Sequence, residues 1–374
     1  MAYVPQRTEE STPVRLALIG SGWMGAFHAE TAATRLGGVQ LEAIADPALA
    51  SAVELAERLG VAKVTADPTD VLADPAVDGV IIAAPARFHA SLISAAAAAG
   101  KHVFCEKPAA TSLAELDSAL AAVRDAGVEL QIGFNRRFAP DFAAAKNALD
   151  AGTVGTPRLL RSLTRDPNNA DALPGAERTP PWTIFLETLI HDFDTLNWFN
   201  EGAVAEEVQV MADALVEPSL RDTGFLDTAV VTIRYSNGAI AVAEANFSAL
   251  YGYDVRGEVF GSAGMVQAGS LQQTAATSYT AAGYGGATPR LNVELFAGAY
   301  TAEIAAFADT IRSRRNGIQT PGPAAPGGAD ARAALALALA CIEAVKTGAP
   351  VRLESSRPVA VAAVAAVAAG EGTR

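Results

Sequence analysis

The chain has 374 residues, of which 50% are hydrophobic and 18% charged, a balance typical of a globular protein and not of a disordered or fibrous one. Its length suggests two domains. The 28 Lys and Arg residues against 41 Asp and Glu residues give a net charge of -13, which disfavours nucleic acid and anionic membranes as partners.

Cysteine usage and the N-terminus point to the cytoplasm. Cys105 and Cys341 lie far apart without CxxC spacing, so neither a disulfide framework nor a zinc site is predicted. The first 13 residues, MAYVPQRTEESTP, lack the apolar run of a signal peptide. The Ala-rich stretches elsewhere are too short for a membrane span or are interrupted by charges. We therefore expect a cytoplasmic protein without a membrane partner.

The first third of the chain alternates short β-branched runs with Ala-rich amphipathic stretches, which is the pattern of βαβ units. We predict a doubly wound parallel sheet of about six strands, a Rossmann domain, over residues 1–137. The runs that carry this prediction are VRLALIG from Val14, VQLEAIAD from Val39, GVIIAAP from Gly79, KHVFCEKP from Lys101 and VELQIGFN from Val128.

The regular alternation of strand-like and helix-like segments ends after Phe138. A helix-like AAAKNALDAG ends at Gly152, and a strand-like RLLRSLTR follows. A Pro-, Asn- and Gly-rich loop is predicted from Asp166 to Pro181. Two strands are then joined by Ser236-Asn237-Gly238, a hairpin signal that indicates antiparallel pairing.

The last quarter of the chain predicts a long loop or irregular edge over 269–289, a helix over 300–315 and a closing helix that ends at Gly348. The tail after Pro358 is either helix or a frayed terminus. The fold class is thus α/β: the Rossmann domain, then a C-terminal α/β domain over 138–374 with a largely antiparallel open sheet. We expect the second domain to bind substrate and to mediate oligomerisation.

A dinucleotide site is predicted where the first strand meets the first helix. Gly20, Gly22 and Gly25 form GxGxxG, with Trp23 and Met24 between the last two glycines. The first glycine permits the tight turn, the second lets the backbone approach a pyrophosphate and the third allows close helix packing. The helix N-terminus favours the negative charge. The alternative is a tight glycine turn without a ligand.

Asp46 ends the second predicted strand, 21 residues after Gly25. A carboxylate at this distance from the glycines is expected to bind the ribose 2′-hydroxyl of the cofactor and to repel a 2′-phosphate. NAD is therefore favoured over NADP. The alternative is that Asp46 only caps the helix that starts after Pro47.

Four further motifs stand out in the sequence: Pro85-Ala86-Arg87-Phe88-His89, Glu106-Lys107-Pro108, Asn135-Arg136-Arg137-Phe138 and His191-Asp192-Phe193-Asp194. Together with the glycine turn, they make the chain resemble the Gfo/Idh/MocA family of oxidoreductases from about Val14 to Leu353. Within that family it is most similar in appearance to inositol 2-dehydrogenases and related sugar dehydrogenases.

The resemblance implies that Pro85, His89, Glu106 and Lys107 line the cofactor cleft, with Lys107 beside the nicotinamide and bonded to the reacting hydroxyl. Glu106 and Lys107 also directly follow a predicted buried parallel strand, at the end of the sheet where ligands bind. The alternative is a surface Lys107 held by Glu106.

His191 matches the family's acid/base histidine. Such a base is needed because hydride leaves a carbinol carbon only as the hydroxyl proton departs.

Glu187 departs from the family pattern, which has Asp four residues before the histidine. Glu187, His191 and Asp194 share one predicted helical face, and we expect Glu187 in the catalytic set. Its longer side chain either orients His191 or marks a different substrate pose. The alternative is a solvated helix residue.

The resemblance also implies substrate contacts from Arg136, Asp166, Asp194 and Tyr253, whose groups suit a polyol. Each could equally be a rim or loop residue. Asp192 is expected to be structural.

The two remaining histidines, His28 and His102, are expected in packing or at the surface. No HExxH motif or Cys/His cluster supports a metal, and we expect none.

We therefore predict an NAD-dependent dehydrogenase that oxidises a secondary hydroxyl of a cyclic polyol or sugar, with an inositol as the best guess. The alternatives are a dehydrogenase of another sugar (glucose, an anhydrosugar or a sugar acid), a redox-neutral glycosidase that uses NAD, and a non-catalytic sugar sensor. An open sheet in the second domain would leave an apolar face for another subunit, so a homodimer or homotetramer is expected.

Overall fold

The computed structural model describes residues 12–167, 179–318 and 325–353. Its first part is a six-stranded parallel sheet in the order β3-β2-β1-β4-β5-β6, which confirms the predicted Rossmann topology. The strands are β1 (Val14–Ile19), β2 (Val39–Ala45), β3 (Lys63–Thr65), β4 (Gly79–Ile82), β5 (His102–Cys105) and β6 (Leu130–Ile132).

Helices cover both faces of this sheet, so its central strands are apolar on both sides. In β4, for example, Val80, Ile81 and Ile82 are all fully buried. The helices are α1 (Trp23–Glu30), α2 (Leu49–Leu59), α3 (Pro68–Leu72), α4 (His89–Ala98) and α5 (Leu113–Ala126). Helix α5 shows how local sequence sets its ends: Ser112 caps its first turn by accepting from the Glu115 N–H, and Gly127 ends it at φ 65°.

The second part is a seven-stranded sheet in the order β12-β11-β7-β10-β9-β8-β15. Its pairings are antiparallel except for the parallel pair of β7 and β10, so the predicted largely antiparallel sheet is confirmed. The predicted hairpin at Asn237-Gly238 joins β9 to β10, with Gly238 at φ 83°. The strands are β7 (Pro157–Arg165), β8 (Ala205–Asp213), β9 (Thr228–Tyr235), β10 (Ile240–Asn246), β11 (Asp254–Gly261), β12 (Met265–Ala268) and β15 (Val351–Arg352).

One face of this sheet is covered by α6 (Pro140–Asp150), α7 (Leu189–Phe199) and α10 (Gly328–Thr347). The predicted irregular segment 269–289 contains one short hairpin, of β13 (Ser278–Thr280) with β14 (Gly283–Gly285). The predicted closing helix corresponds to α10, which ends at Gly348 in the left-handed conformation.

The chain then returns to its first half. After the short α8 (Asn292–Leu295), helix α9 (Ala297–Arg315) packs on the Rossmann sheet. Ile304, Phe307 and Ile311 of α9 join the cluster of Ile81 and Phe104, all of them almost fully buried. A helix that follows the second sheet in sequence therefore completes the core of the first domain and brings its N-terminal turn to the sheet's carboxyl edge.

Parts of the sequence predictions lie outside the described residues: the N-terminal segment 1–11, the interior of the 166–181 loop and the tail after Pro358. Among the residues that are described, no helix is both long enough and apolar enough to cross a membrane.

Candidate active site

A cavity of about 410 Å³ opens at the carboxyl ends of β4 and β5, between the Rossmann sheet and the second sheet. This volume is typical of small-molecule sites. Residues from both halves of the chain line it: Trp23, Met24, Ala83, Ala84, Pro85, Ala86, His89, Glu106, Lys107, Asn135, Arg136, Thr164, Asp166, Glu187, Thr188, His191, Tyr253, Val255, Asn292, Phe296 and Tyr300.

The glycine turn borders this cavity. Gly20 has φ 98°, a conformation that only glycine adopts without strain. A Cβ on Gly25 would collide with the Gly20 carbonyl oxygen, so Gly25 permits the close packing of α1 on β1. Gly22, in contrast, has no neighbouring atom within 4 Å. This open backbone at the helix N-terminus is a fitting cradle for the pyrophosphate of a dinucleotide.

Asp46 ends β2 beside the glycine turn. Its Oδ2 accepts from the Ser21 N–H at 2.6 Å, and its Oδ1 accepts from the Ala48 N–H at 2.7 Å, just before α2. Burial alone would raise the pKa of Asp46, but these backbone N–H groups outweigh it and lower the pKa. Asp46 is therefore a carboxylate next to the glycine turn, where it would oppose a 2′-phosphate. Ala48 is the N-cap residue of α2, so the contact with Asp46 lies just before the helix, whose N-cap makes no side-chain hydrogen bond.

His89 joins the loops that follow β4 and β5. Its Nδ1 lies 2.7 Å from the carbonyl oxygen of Pro108, and its Nε2 lies 2.6 Å from that of Ala84. Carbonyl oxygens only accept hydrogen bonds, so a ring N–H of His89 is the donor. Together with Pro85, His89 forms the wall of the cavity on the Rossmann side.

Lys107 and Glu187 meet across the cavity. The Lys107 Nζ donates to Glu187 Oε2 at 2.9 Å and to the Glu187 carbonyl oxygen at 3.1 Å. Burial alone would lower the pKa of Lys107, but the charges of Glu187 and Glu106 raise it, so the lysine is a cation. Within the described structure, the Glu187 carboxylate pairs with Lys107 and makes no hydrogen bond to His191.

His191 lies in the first turn of α7, which follows a π-type turn over Ile184–Thr188. Its Nδ1 is buried and has no hydrogen-bond partner among the described residues. Burial lowers the pKa of His191 well below its usual value, and the positive charges of Lys107 and Arg136 lower it further. The imidazole is therefore neutral at pH 7 and able to accept a proton.

Asp166 and Tyr253 face the same cavity from the second domain. The Tyr253 hydroxyl donates a hydrogen bond to the Asp166 carboxylate. Burial raises the pKa of Asp166 to about 6, although Tyr253 and Arg136 act in the opposite direction. Arg136 lines the cavity as well, and its guanidinium is held from behind by Asp192 at 2.8 Å. Asp192 is thus structural, as predicted.

Asp194 is placed differently from the expectation that it contacts substrate. Its carboxylate is buried and binds the guanidinium of Arg137, with Nε to Oδ2 at 3.0 Å. Arg137 also binds Asp330 of α10 at 2.7 Å. Because a buried charge needs a partner, these groups pair with one another away from the cavity, and the structure does not bring Asp194 to it. Asp194 therefore ties α7 to the first domain.

The other two histidines are not in the cavity. His28 is completely buried and its Nε2 lies 2.7 Å from Glu106 Oε1, so it is a packed residue, one of the two expected alternatives. The Nδ1 of His102 accepts from the Glu129 N–H at 3.0 Å, beside β5.

Sequence reasoning missed several cavity residues, among them Asn135, Thr164 and Tyr300. Asn135 adjoins Arg136 in a motif that was identified, so its place in the cavity could have been predicted from the sequence. Tyr300 was seen only as a helix start, because nothing in its local pattern shows that α9 folds back on the Rossmann sheet. Thr164 lies near the end of β7, in a run of three buried residues, and carried no separate signal.

Four features define a class, the oxidoreductases that use a dinucleotide: the parallel sheet, the glycine turn at α1, the acidic end of β2, and the lysine and histidine that line one cavity. Residues 14–134 match the family described as "Oxidoreductase family, NAD-binding Rossmann fold", and residues 142–267 match the "GFO/IDH/MocA C-terminal domain". The chain belongs to the Gfo/Idh/MocA family, and its cofactor is NAD.

Similar proteins include a scyllo-inositol 2-dehydrogenase (NAD(+)) of Bacillus subtilis, 34% identical over 92% of this chain and 97% of that protein. A myo-inositol 2-dehydrogenase of Thermotoga maritima is also 34% identical, over 91% of this chain and 99% of that protein. Among solved structures, scyllo-inositol dehydrogenase from Lactobacillus casei with bound NAD(H) and scyllo-inositol has a TM-score of 0.83 at 28% identity. That comparison covers 91% of this chain and 99% of the other.

Proposed function

We propose that this protein oxidises a secondary hydroxyl of a cyclic polyol or sugar to the ketone, with NAD as the hydride acceptor and an inositol as the preferred class of substrate. The observation that carries the proposal is the cavity, in which a cationic Lys107 and a neutral His191 converge at the carboxyl edge of the Rossmann sheet. The names of the similar proteins support an inositol.

His191 acts as the base in this proposal. Oxidation of a carbinol removes the hydroxyl proton and transfers the carbon-bound hydrogen as hydride, so the site needs a group that is unprotonated at pH 7. His191 meets this condition because its pKa is lowered by burial and by nearby cations. NAD, when bound, supplies the hydride acceptor.

Lys107 acts on the oxygen of the same hydroxyl. Its ammonium group has three donors, and Glu187 occupies two of them, through its carboxylate at 2.9 Å and its carbonyl oxygen at 3.1 Å. The remaining donor can bind the reacting oxygen and stabilise the negative charge that develops on it. Glu187 then holds the lysine in its charged form and in place, which is a role for the glutamate different from orienting His191.

Asp166, Tyr253 and Arg136 provide the remaining polar groups for the substrate. A carboxylate, a phenol and a guanidinium offer acceptors and donors in one cavity, which suits a ring with several hydroxyls. A simple aliphatic alcohol would leave these buried polar groups unpaired, at a cost in affinity. The site therefore favours a polyol.

The test is NADH formation by the purified protein with inositols, aldoses, anhydrosugars and sugar acids, each repeated with NADP. We expect an NAD-linked signal on a cyclic polyol. His191→Ala should lower turnover by about 10²-fold or more while NAD binding persists. His102→Ala is the matched control, because His102 lies outside the cavity, and it should retain turnover.

Two outcomes would count against the proposal. Unchanged turnover in His191→Ala would remove the histidine from the mechanism. No NADH with any substrate, while NAD still binds, would overturn the dehydrogenase proposal and favour redox-neutral use of NAD or a sensor.

We also propose that the protein forms a homodimer or homotetramer through the face of the seven-stranded sheet that lies opposite α6, α7 and α10. Side chains alternate between the two faces of a strand, and this opposite face exposes a row of directly paired apolar residues. The row runs across four neighbouring strands, through Met265, Phe260, Leu159 and Ile240. Apolar rows of this length are typical of subunit interfaces.

Light scattering coupled to gel filtration tests this interface. Leu159→Lys with Ile240→Lys should shift the protein to the monomer, whereas Tyr279→Lys, an exposed change on the β13–β14 hairpin, should not. An oligomer of unchanged size in the double variant would refute the assignment of this face.

A further inference from the structure

Three titratable side chains meet at the edge of the cavity, where one of them is part of the lining, and the mechanism above does not use them as a group. They are His28 of α1, Glu106 after β5 and Glu303 of α9. One nitrogen or oxygen atom from each lies within 4.8 Å of the others, and all three side chains are buried. We call these three residues the buried triad.

The hydrogen bonds within the buried triad are incomplete. His28 Nε2 lies 2.7 Å from Glu106 Oε1, but His28 Nδ1 and both carboxyl oxygens of Glu303 have no partner among the described residues. Two ionised carboxylates this close in a buried place would repel each other strongly. A proton on one of them removes the repulsion and creates an O–H donor.

We propose that Glu303 is a positioning residue, a neutral carboxylic acid that packs beside Glu106 without adding a second buried negative charge, and thereby leaves Glu106, and through Glu106 the catalytic Lys107, in place. The proton resides on Glu303 and not on Glu106, because Glu106 has closer cationic and hydrogen-bond donor neighbours. This inference rests on the proposed function only where it refers to turnover.

The surroundings of the two carboxyl groups favour the ionised form of Glu106 and the protonated form of Glu303. Burial alone would raise the pKa of Glu106, but the hydrogen bond and charge of His28 and the charges of Lys107 and His89 lower it. Burial raises the pKa of Glu303 well above its usual value, and the charge of Glu106 raises it further.

No lysine or arginine among the described residues pairs with the Glu303 carboxyl group. On its own helix it faces the Tyr300 hydroxyl, and Gln131 of β6 binds only its backbone oxygen, at 2.7 Å. Arg136, in the helical turn after β6, acts on Tyr300 and is already paired with Asp192.

The link from Glu106 to Lys107 is short. Glu106 Oε2 accepts from the Lys107 backbone N–H at 3.2 Å. Gly133 leaves space for the Glu106 carboxyl group, because a Cβ at this position would lie only 3.2 Å from it. A carboxyl oxygen of Glu303 lies within 4.8 Å of a carboxyl oxygen of Glu106. A change at Glu303 therefore reaches Lys107 through one residue.

Glu303→Gln tests the proposal because the amide has the shape and neutrality of the acid but no proton to lose. We expect turnover at pH 7 within about threefold of wild type. We also expect the alkaline fall in turnover to move up by about one pH unit or more, because the ionisation of Glu303 is removed. Asp309→Asn, the same change at an exposed position of α9, should leave turnover and its pH profile unchanged.

Infrared spectroscopy of the resting protein reads the proton without any turnover. We expect a protonated-carboxyl C=O band at pH 7 that is lost in Glu303→Gln and shifted in Glu303→Asp. If the band of the wild-type protein is lost in Glu303→Gln but the wild-type protein oxidises no substrate, the proposed function is refuted and this inference is retained.

Three results would overturn the inference: no such band in wild type, turnover about tenfold lower in Glu303→Gln with an unmoved alkaline limb, or a stoichiometric divalent metal in the purified protein that Glu303→Gln abolishes.

Discussion

The ion pair behind the cavity allows a quantitative prediction. Asp192 of α7 holds the Arg136 guanidinium, with Nη1 to Oδ1 at 2.8 Å and Nη2 to Oδ2 at 3.3 Å. Its two oxygens also accept from the hydroxyls of Ser162 at 2.6 Å and Thr164 at 2.7 Å. Both charged side chains are almost completely buried. Asp192→Ala would therefore leave a guanidinium without its counter-charge.

Loss of one partner of a buried pair costs about 3–5 kcal/mol, because the remaining charge stays buried without compensation. We expect Asp192→Ala to lower the free energy of unfolding by about 4 kcal/mol on this basis. Asp192→Asn retains one acceptor and the shape of the side chain, so its effect should be smaller, about 2 kcal/mol.

Urea unfolding followed by circular dichroism measures both variants, with extrapolation to zero denaturant. Asp125→Ala is the matched control, because it breaks the Arg124–Asp125 pair at the surface, where both side chains are at least 70% exposed. That variant should unfold like wild type. A loss below about 1 kcal/mol in Asp192→Ala, with an unchanged dependence on urea, would refute the assignment of a buried and essential ion pair.

Three further predictions concern the site. Because Asp166 has its pKa raised to about 6 and His191 titrates well below its usual range, kcat/KM should fall as pH drops through about 6. Asp166→Asn should remove this acid limb, and a limb that persists would assign it to another group. Gly22→Ala, in open space, should keep the protein's thermal stability and weaken NAD binding in calorimetry, whereas Gly25→Ala should lower the stability itself; equal stability of the two variants would contradict the packing argument. Asp46→Ser should lower the NAD-to-NADP ratio of kcat/KM by about tenfold or more, because the carboxylate that opposes a 2′-phosphate is gone. An unchanged ratio would place cofactor choice elsewhere.

Much of the first domain was predictable because its signals are local. Each parallel strand is a short run of branched apolar residues, and GxGxxG between such a run and a helix has few other uses. The same holds for the hairpin at Asn237-Gly238, where two adjacent residues determine the turn. The motifs around Lys107 and His191 placed both residues in one cavity, as the structure has them.

Predictions that depended on helical spacing alone were less successful. Spacing placed Glu187, His191 and Asp194 on one face, but Glu187 lies in a π-type turn and pairs with Lys107. Asp194 forms an ion pair with Arg137, which belongs to another element 57 positions earlier in the chain. The partner of a buried charge is chosen by three-dimensional distance, and spacing within one helix does not contain that information.

The sequence by itself determined the element types, the parallel sheet, the glycine turn and the residues that carry the proposed chemistry, because each of these follows from patterns within a few tens of residues. Only the tertiary structure decided that α9 returns to the Rossmann sheet, where it brings Tyr300 to the cavity and Glu303 to Glu106. The physical reason is that a helix's apolar face shows that it packs but not on which surface, and contacts between residues about 200 positions apart arise only when the whole core is closed.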